Sequence, residues 1–133
     1  INDLTFYNDA YNANPASAKA GFETMAEMDI PGRKILIFAD MLELGPQSAS
    51  LHADAAEHML SAGFDYIILV GQDVIASANH LISQMFTSFY HSTEKALTIE
   101  HFLKILTPGD VVYLKGSRGM QLEAFIDAYK ELN

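Results

Sequence analysis

The chain has 133 residues, enough for one domain around a single core, and a composition half hydrophobic and 19% charged, that of a globular protein rather than a disordered or fibrous one. Eight lysines and arginines stand against seventeen acids, so the formal net charge of −9 repels polyanions and sets nucleic acid aside as a partner. The lack of cysteine removes disulfide scaffolds, thiolate zinc sites and thiol nucleophiles, and fits a reducing compartment, with the cytoplasm as the default.

The first residues, INDLTFYND, have neither the basic start nor the long apolar stretch of a signal peptide, and read directly as a strand over Leu4 to Asn8. A chain that opens on a strand, without methionine, is expected to be a segment of something longer. After Pro15, apolar residues fall at Ala18, Phe22, Met25 and Ala26, and the pattern stops before Pro31 and Gly32 as a helix does. Lys34 to Ala39 is a second strand, and Leu51, Ala55, Met59 and Leu60 define a helix ending at Gly63. Tyr66 to Val70 is the third strand, followed by a helix with Val74, Ala78, Leu81, Ile82 and Met85 on its inner face. A short strand over Ser88 to His91 precedes a helix carrying Ile99, Phe102, Leu103 and Leu106. The last strand, Val111 to Lys115, leads to a helix with Leu122, Phe125, Ile126, Tyr129 and Leu132.

Strands alternating with amphipathic helices predict right-handed crossovers and a three-layer, Rossmann-like α/β domain with a mostly parallel sheet. The strand interiors ILIF, YIILV and VVYL are continuously apolar, as a sheet buried on both faces requires. No apolar run approaches the ~20 residues needed to cross a bilayer, so no membrane partner is expected. In such a fold ligands bind beyond the carboxyl ends of the strands, which directs attention to the turns DAYNANP, ADMLELG, VGQD and KGSRGM.

In DAYNANPAS, Asn14 suits an N-cap and Pro15 the first helical position, and capping accounts for those two residues. It does not account for Asp9, Tyr11 and Asn12, displayed ahead of the cap, where a carboxylate, an amide and backbone N–H groups can hold the sugar and base of a nucleotide. KGSRGM presents two cations, Lys115 and Arg118, suited to phosphate or carboxylate; the alternative is a solvated turn in which Ser117 caps the last helix. It is not a P-loop, because the pattern GxxxxGK followed by Ser or Thr occurs nowhere in the chain. ADMLELG brings Asp40 and Glu43 to a strand end, with His52 downstream, either as a cation or ammonium site or as solvated carboxylates beside packed leucines. His58, His80, His91 and His101 lack ligand spacing, so no metal site is assigned.

Together, DAYNANPAS, ADMLELG with His52, and GDVVYLKGSRGM resemble the C-terminal domain of the Mur ligases, nearest to the members that add D-alanyl-D-alanine. The likeness runs from Asp9 to the last helix. It departs at Ala39, where the family usually has glycine, and Gln72 to Thr98 carries no family motif. The resemblance implies one domain, residues 1–133, of a three-domain, ATP-dependent amide ligase of peptidoglycan synthesis, acting in cell wall biogenesis, cell shape and cell division. Its substrates would be UDP-N-acetylmuramoyl-tripeptide and D-alanyl-D-alanine, joined through an acyl phosphate. N-terminal and central domains would hold the UDP-sugar, the P-loop and magnesium. Asp9, Tyr11, Asn12 and Asn14 would lie beside the ribose and base of ATP. Lys115 and Arg118 would be catalytic, and Ser117, Asp40, Glu43 and His52 would line the substrate rim. Alone, the domain is expected to be inactive. The competing expectation is a free-standing flavodoxin-like or receiver-like binding module without ligase activity. A receiver needs a phosphorylatable aspartate at the end of the third strand, where this chain reads Val70, Gly71 and Gln72. A dinucleotide-binding domain is weaker still, since no GxGxxG follows the first strand.

Overall fold

The computed structural model describes residues 4–132. The β-branched and aromatic runs form β1 (Thr5–Asp9), β2 (Lys34–Ala39), β3 (Tyr66–Val70), β4 (Phe89–Ser92) and β5 (Val111–Lys115). They pair in one sheet of order β1-β5-β2-β3-β4, every pair parallel. The amphipathic segments form α1 (Pro15–Glu27), α2 (Ser48–Ala62), α3 (Ile75–Ser83), α4 (Lys95–Ile105) and α5 (Glu123–Glu131), with short 3-10 turns at Gly45–Gln47 and Arg118–Met120.

Strand side chains alternate between two cores, as a period of two dictates. Leu36, Phe38, Ile67 and Leu69 meet Phe22 and Met25 of α1, Met59 of α2 and Leu81 of α3 on one face. On the other, Ile35, Ile37, Ile68, Val112 and Leu114 meet Phe102 of α4 and Phe125 of α5. Three helices cover one face and two the other, so both faces of the apolar strands leave water and the three-layer expectation holds.

Start and stop signals act as read for α1. The Asn14 side chain accepts from the Ser17 N–H at 2.8 Å, the Asn14 N–H donates to the Ser17 hydroxyl at 3.2 Å, and Pro15 opens the helix, a complete capping box. Elsewhere the boundaries move. β1 and β4 each lie one residue later than expected. The third helix stops at Ser83, leaving Ile82 exposed and Met85 88% exposed, off the core. The cause is a helix stop without glycine: Met85 takes φ 63°, its N–H donates to the Ile82 carbonyl at 2.9 Å and the Phe86 N–H to the Leu81 carbonyl at 2.9 Å. Those two bonds close a Schellman motif that turns the chain into β4 and returns Phe86 to the core. The final helix starts late as well, at Glu123, because Gln121 adopts φ 52° after the 3-10 turn, and Leu132 lies past its end, exposed.

At the amino ends of the strands, Arg33 clamps β2 to β5. Its Nε and Nη2 donate to the two oxygens of buried Asp110 at 3.0 and 2.7 Å, and the Thr107 N–H and hydroxyl fill the remaining acceptor positions.

Candidate nucleotide and substrate crevice

The strand order fixes where a ligand can sit. The turns after β1, β2 and β3 lead to α1, α2 and α3 on one face, whereas those after β4 and β5 lead to α4 and α5 on the other. β5 lies between β1 and β2, so its turn parts from both neighbours and opens a crevice on either side of Lys115.

Three side chains meet on the β1 side. Asp9 and Lys115 are directly paired across the parallel strands, and Tyr113 stands two residues before Lys115 on the same face. Lys115 Nζ donates to Asp9 Oδ2 at 2.9 Å and the Tyr113 hydroxyl donates to the same oxygen at 2.7 Å. The Lys115 side chain is 3% exposed and that of Asp9 46%, so a buried cation is held by a carboxylate that still reaches solvent. Burial, then the hydrogen bond to Asp9 and its negative charge, push the Tyr113 phenol far above its ordinary range, so it remains a donor. Tyr113 is the residue that sequence reading passes over, since VVYL looks like uniform core; its place two residues before Lys115 was the available signal.

On the β2 side, Asp40 and His52 do not line the rim but lie buried beneath it. Asp40 accepts from the Gln72 and Val74 N–H groups at 3.1 and 2.9 Å, tying the second turn to the third. Burial raises its carboxyl, only partly offset by the Val74 N–H. Gly71 at φ 123° makes this possible, because a Cβ there would fall on the Asp40 carboxylate. His52 Nε2 accepts from the Met41 N–H at 2.9 Å, which puts the ring proton on Nδ1 facing the Ser48 carbonyl at 2.8 Å. The Ser117 side chain caps no helix; its hydroxyl accepts from the Leu42 N–H at 3.0 Å and bolts the β5 turn to the β2 turn. Ala39, fully buried, rests against Gly116, where a Cβ would come within 2.9 Å, so the glycine sits in the adjacent turn. Lys95 at the start of α4 donates to the Met120 and Gln121 carbonyls, each at 3.3 Å, bracing the turn that presents Arg118.

Tyr11, Asn12, Glu43 and Arg118 are exposed, and among the described residues their side chains make no hydrogen bond. Glu43 takes φ 66°, a strained backbone position for a side-chain-bearing residue. Asn14 commits its carbonyl oxygen to the cap, leaving its amide N–H groups outward. The crevice thus has groups that lock the turns, the buried Asp40 and His52 and the half-buried Ser117, and exposed groups, Tyr11, Asn12, Glu43 and Arg118, that are free to bind. Among the described residues no three metal-ligating side chains cluster. The end of β3, where a receiver keeps its phosphoacceptor, is Gly71 packed on Asp40.

Fold and crevice define a class: a parallel α/β domain with a buried lysine, a free arginine and a polar helix cap gathered at the carboxyl edge of its sheet. The model of the Mur ligase, glutamate ligase domain family matches residues 1–118, and the chain belongs to that family. The UDP-N-acetylmuramoyl-tripeptide–D-alanyl-D-alanine ligase of Escherichia coli is 32% identical over 126 residues, and that of Rickettsia prowazekii 31% identical over 122. These alignments cover 93% and 92% of the chain but only 26% of each relative, so the chain spans about a quarter of their length. MurF from Acinetobacter baumannii superposes with a TM-score of 0.82 at 25% identity, over 98% of this chain and 29% of that one. The MurF ligase from Thermotoga maritima, solved in complex with ADP, shares the fold with a TM-score of 0.79 at 20% identity, over 98% of this chain and 29% of that one.

Proposed function

We propose that this chain is the C-terminal domain of a three-domain, ATP-dependent ligase that joins D-alanyl-D-alanine to UDP-N-acetylmuramoyl-tripeptide in cytoplasmic peptidoglycan synthesis. The observation that carries the reading is the pairing of buried Lys115 with Asp9 beside unpartnered, exposed Arg118 at the crevice. In the reaction, the terminal carboxylate of the tripeptide attacks the γ-phosphorus of ATP and ADP leaves. The dipeptide amine then attacks the acyl phosphate, loses a proton and expels phosphate as the amide forms. Arg118 offers a bidentate donor fork to the dipeptide carboxylate or to the phosphoryl oxygens, and Lys115 adds positive charge in a site shielded from water. Asp9, Tyr11, Asn12 and Asn14 form the nucleotide edge, with the Asp9 carboxylate suited to a ribose hydroxyl. Glu43 and Ser117 belong to the substrate rim, while Asp40 and His52 act on it indirectly by fixing the turns.

Magnesium supplies charge neutralisation on the phosphates when bound, but the donors of this crevice do not fit it: Asp9 carries a lysine cation and Asp40 is turned onto two backbone N–H groups. The reading assigns metal and P-loop to the central domain, with closure of the domains completing the site. Among the described residues no helix is long and apolar enough to cross a membrane. In the full-length ligase, Arg118→Ala is expected to lower kcat/KM for D-alanyl-D-alanine by roughly a hundredfold. Unchanged kinetics would remove Arg118 from the reaction centre.

A further inference from the structure

Resting on the reading of Asp9 as the ribose contact, we propose that Tyr113 is a positioning residue that sets the orientation of the Asp9 carboxylate and thereby the preference for a ribose diol. Both donors to Asp9, Tyr113 and Lys115, converge on Oδ2. Among the described residues no donor is bonded to Oδ1, which is left as the free acceptor of a half-exposed carboxylate. A lysine alone can swing with its long stem; a tyrosine fixed by its ring cannot. The Tyr113 ring is buried, packed edge-on against Phe22 at 6.4 Å and 84°. Its hydroxyl occupies the space that Gly21 leaves, since a Cβ on Gly21 would overlap it. Tyr113 and Asp9 also share the wall of a 600 Å³ groove between β1 and α1, so the carboxylate has room to rotate away from the rim if the hydroxyl is lost.

The test compares ATP with 2′,3′-dideoxy-ATP as substrates of the full-length ligase in the wild type, Tyr113→Phe, Gly21→Ala and Asp9→Asn. Tyr113→Phe keeps the ring in place and removes only the hydroxyl; Gly21→Ala displaces the hydroxyl from the other side. Both are expected to raise KM for ATP roughly tenfold, with kcat and the dideoxy KM within about twofold of the wild type, so that the diol preference collapses. A purely structural role would weaken both nucleotides alike. If Asp9→Asn abolishes the preference while Tyr113→Phe keeps it in full, the role of Tyr113 is overturned and the ribose assignment of Asp9 stands. If neither the wild type nor Asp9→Asn distinguishes the two nucleotides, the ribose assignment fails and the inference falls with it.

Discussion

Burial pushes both Asp40 and Asp110 up, and their partners decide the sign of the net shift. Burial raises Asp40, and the backbone dipoles that it accepts do not restore the balance. Burial pushes Asp110 up too, but the Arg33 guanidinium and the Thr107 donors hold it below the ordinary carboxylate range. Because the folded value of Asp110 lies below that of the unfolded chain, its contribution to stability is fully present above about pH 4 and is lost as pH falls through the folded value. Asp40 has the opposite sense, since its ionisation costs stability that is recovered on acidification. Asp110→Asn is expected to cost about 2–3 kcal/mol at neutral pH, less than a fully buried pair because the Arg33 side chain is 39% exposed, and to flatten the fall in urea midpoint below pH 4. A variant whose midpoint falls as steeply as the wild type would place the acid sensitivity elsewhere. Of the candidate residues at the crevice, sequence reading singles out those in turns and passes over Tyr113, because a tyrosine inside an apolar strand looks like core until its register with Asp9 is known.

At the scale of elements, the ends of helices were less legible than their existence. Helix α1 announces both ends through Asn14, Pro15 and Pro31, whereas α3 runs on by pattern to Met85 and stops instead at a left-handed residue that is not glycine. A methionine there bears a backbone cost of about 1 kcal/mol that glycine would not. Met85→Gly, at an 88% exposed position, is therefore expected to raise the melting temperature by about 2–4 °C. A drop of similar size would mean that the flexibility added to the unfolded chain outweighs the relief of strain. The late start of α5 has the same origin in a left-handed residue that is not glycine, Gln121, while Ser117, which reads as a cap, spends its hydroxyl on the Leu42 N–H, a contact 75 residues away in sequence that local patterning does not reveal.

For the molecule as a whole, continuous apolar strands alternating with helical periods were sufficient to give three layers and a parallel sheet, but not the order β1-β5-β2-β3-β4, which depends on β5 inserting between β1 and β2. That insertion makes the crevice, by putting Lys115 next to Asp9 and Ser117 next to Leu42. The turns are then tied to one another by side chains, which makes the carboxyl edge one platform rather than separate loops. The candidate binding groups, Tyr11, Asn12, Glu43 and Arg118, are exposed, as the proposed half-site completed by other domains would require. The most direct measurement is ADP release by the full-length protein and by the 133-residue chain, each with ATP, UDP-N-acetylmuramoyl-tripeptide and D-alanyl-D-alanine. Sustained release by the full-length protein that requires both acceptor and dipeptide, with none from the chain alone, is the expected result. Turnover by the isolated chain, or dipeptide-independent release by the full-length protein that continues beyond one equivalent per enzyme, would contradict the account.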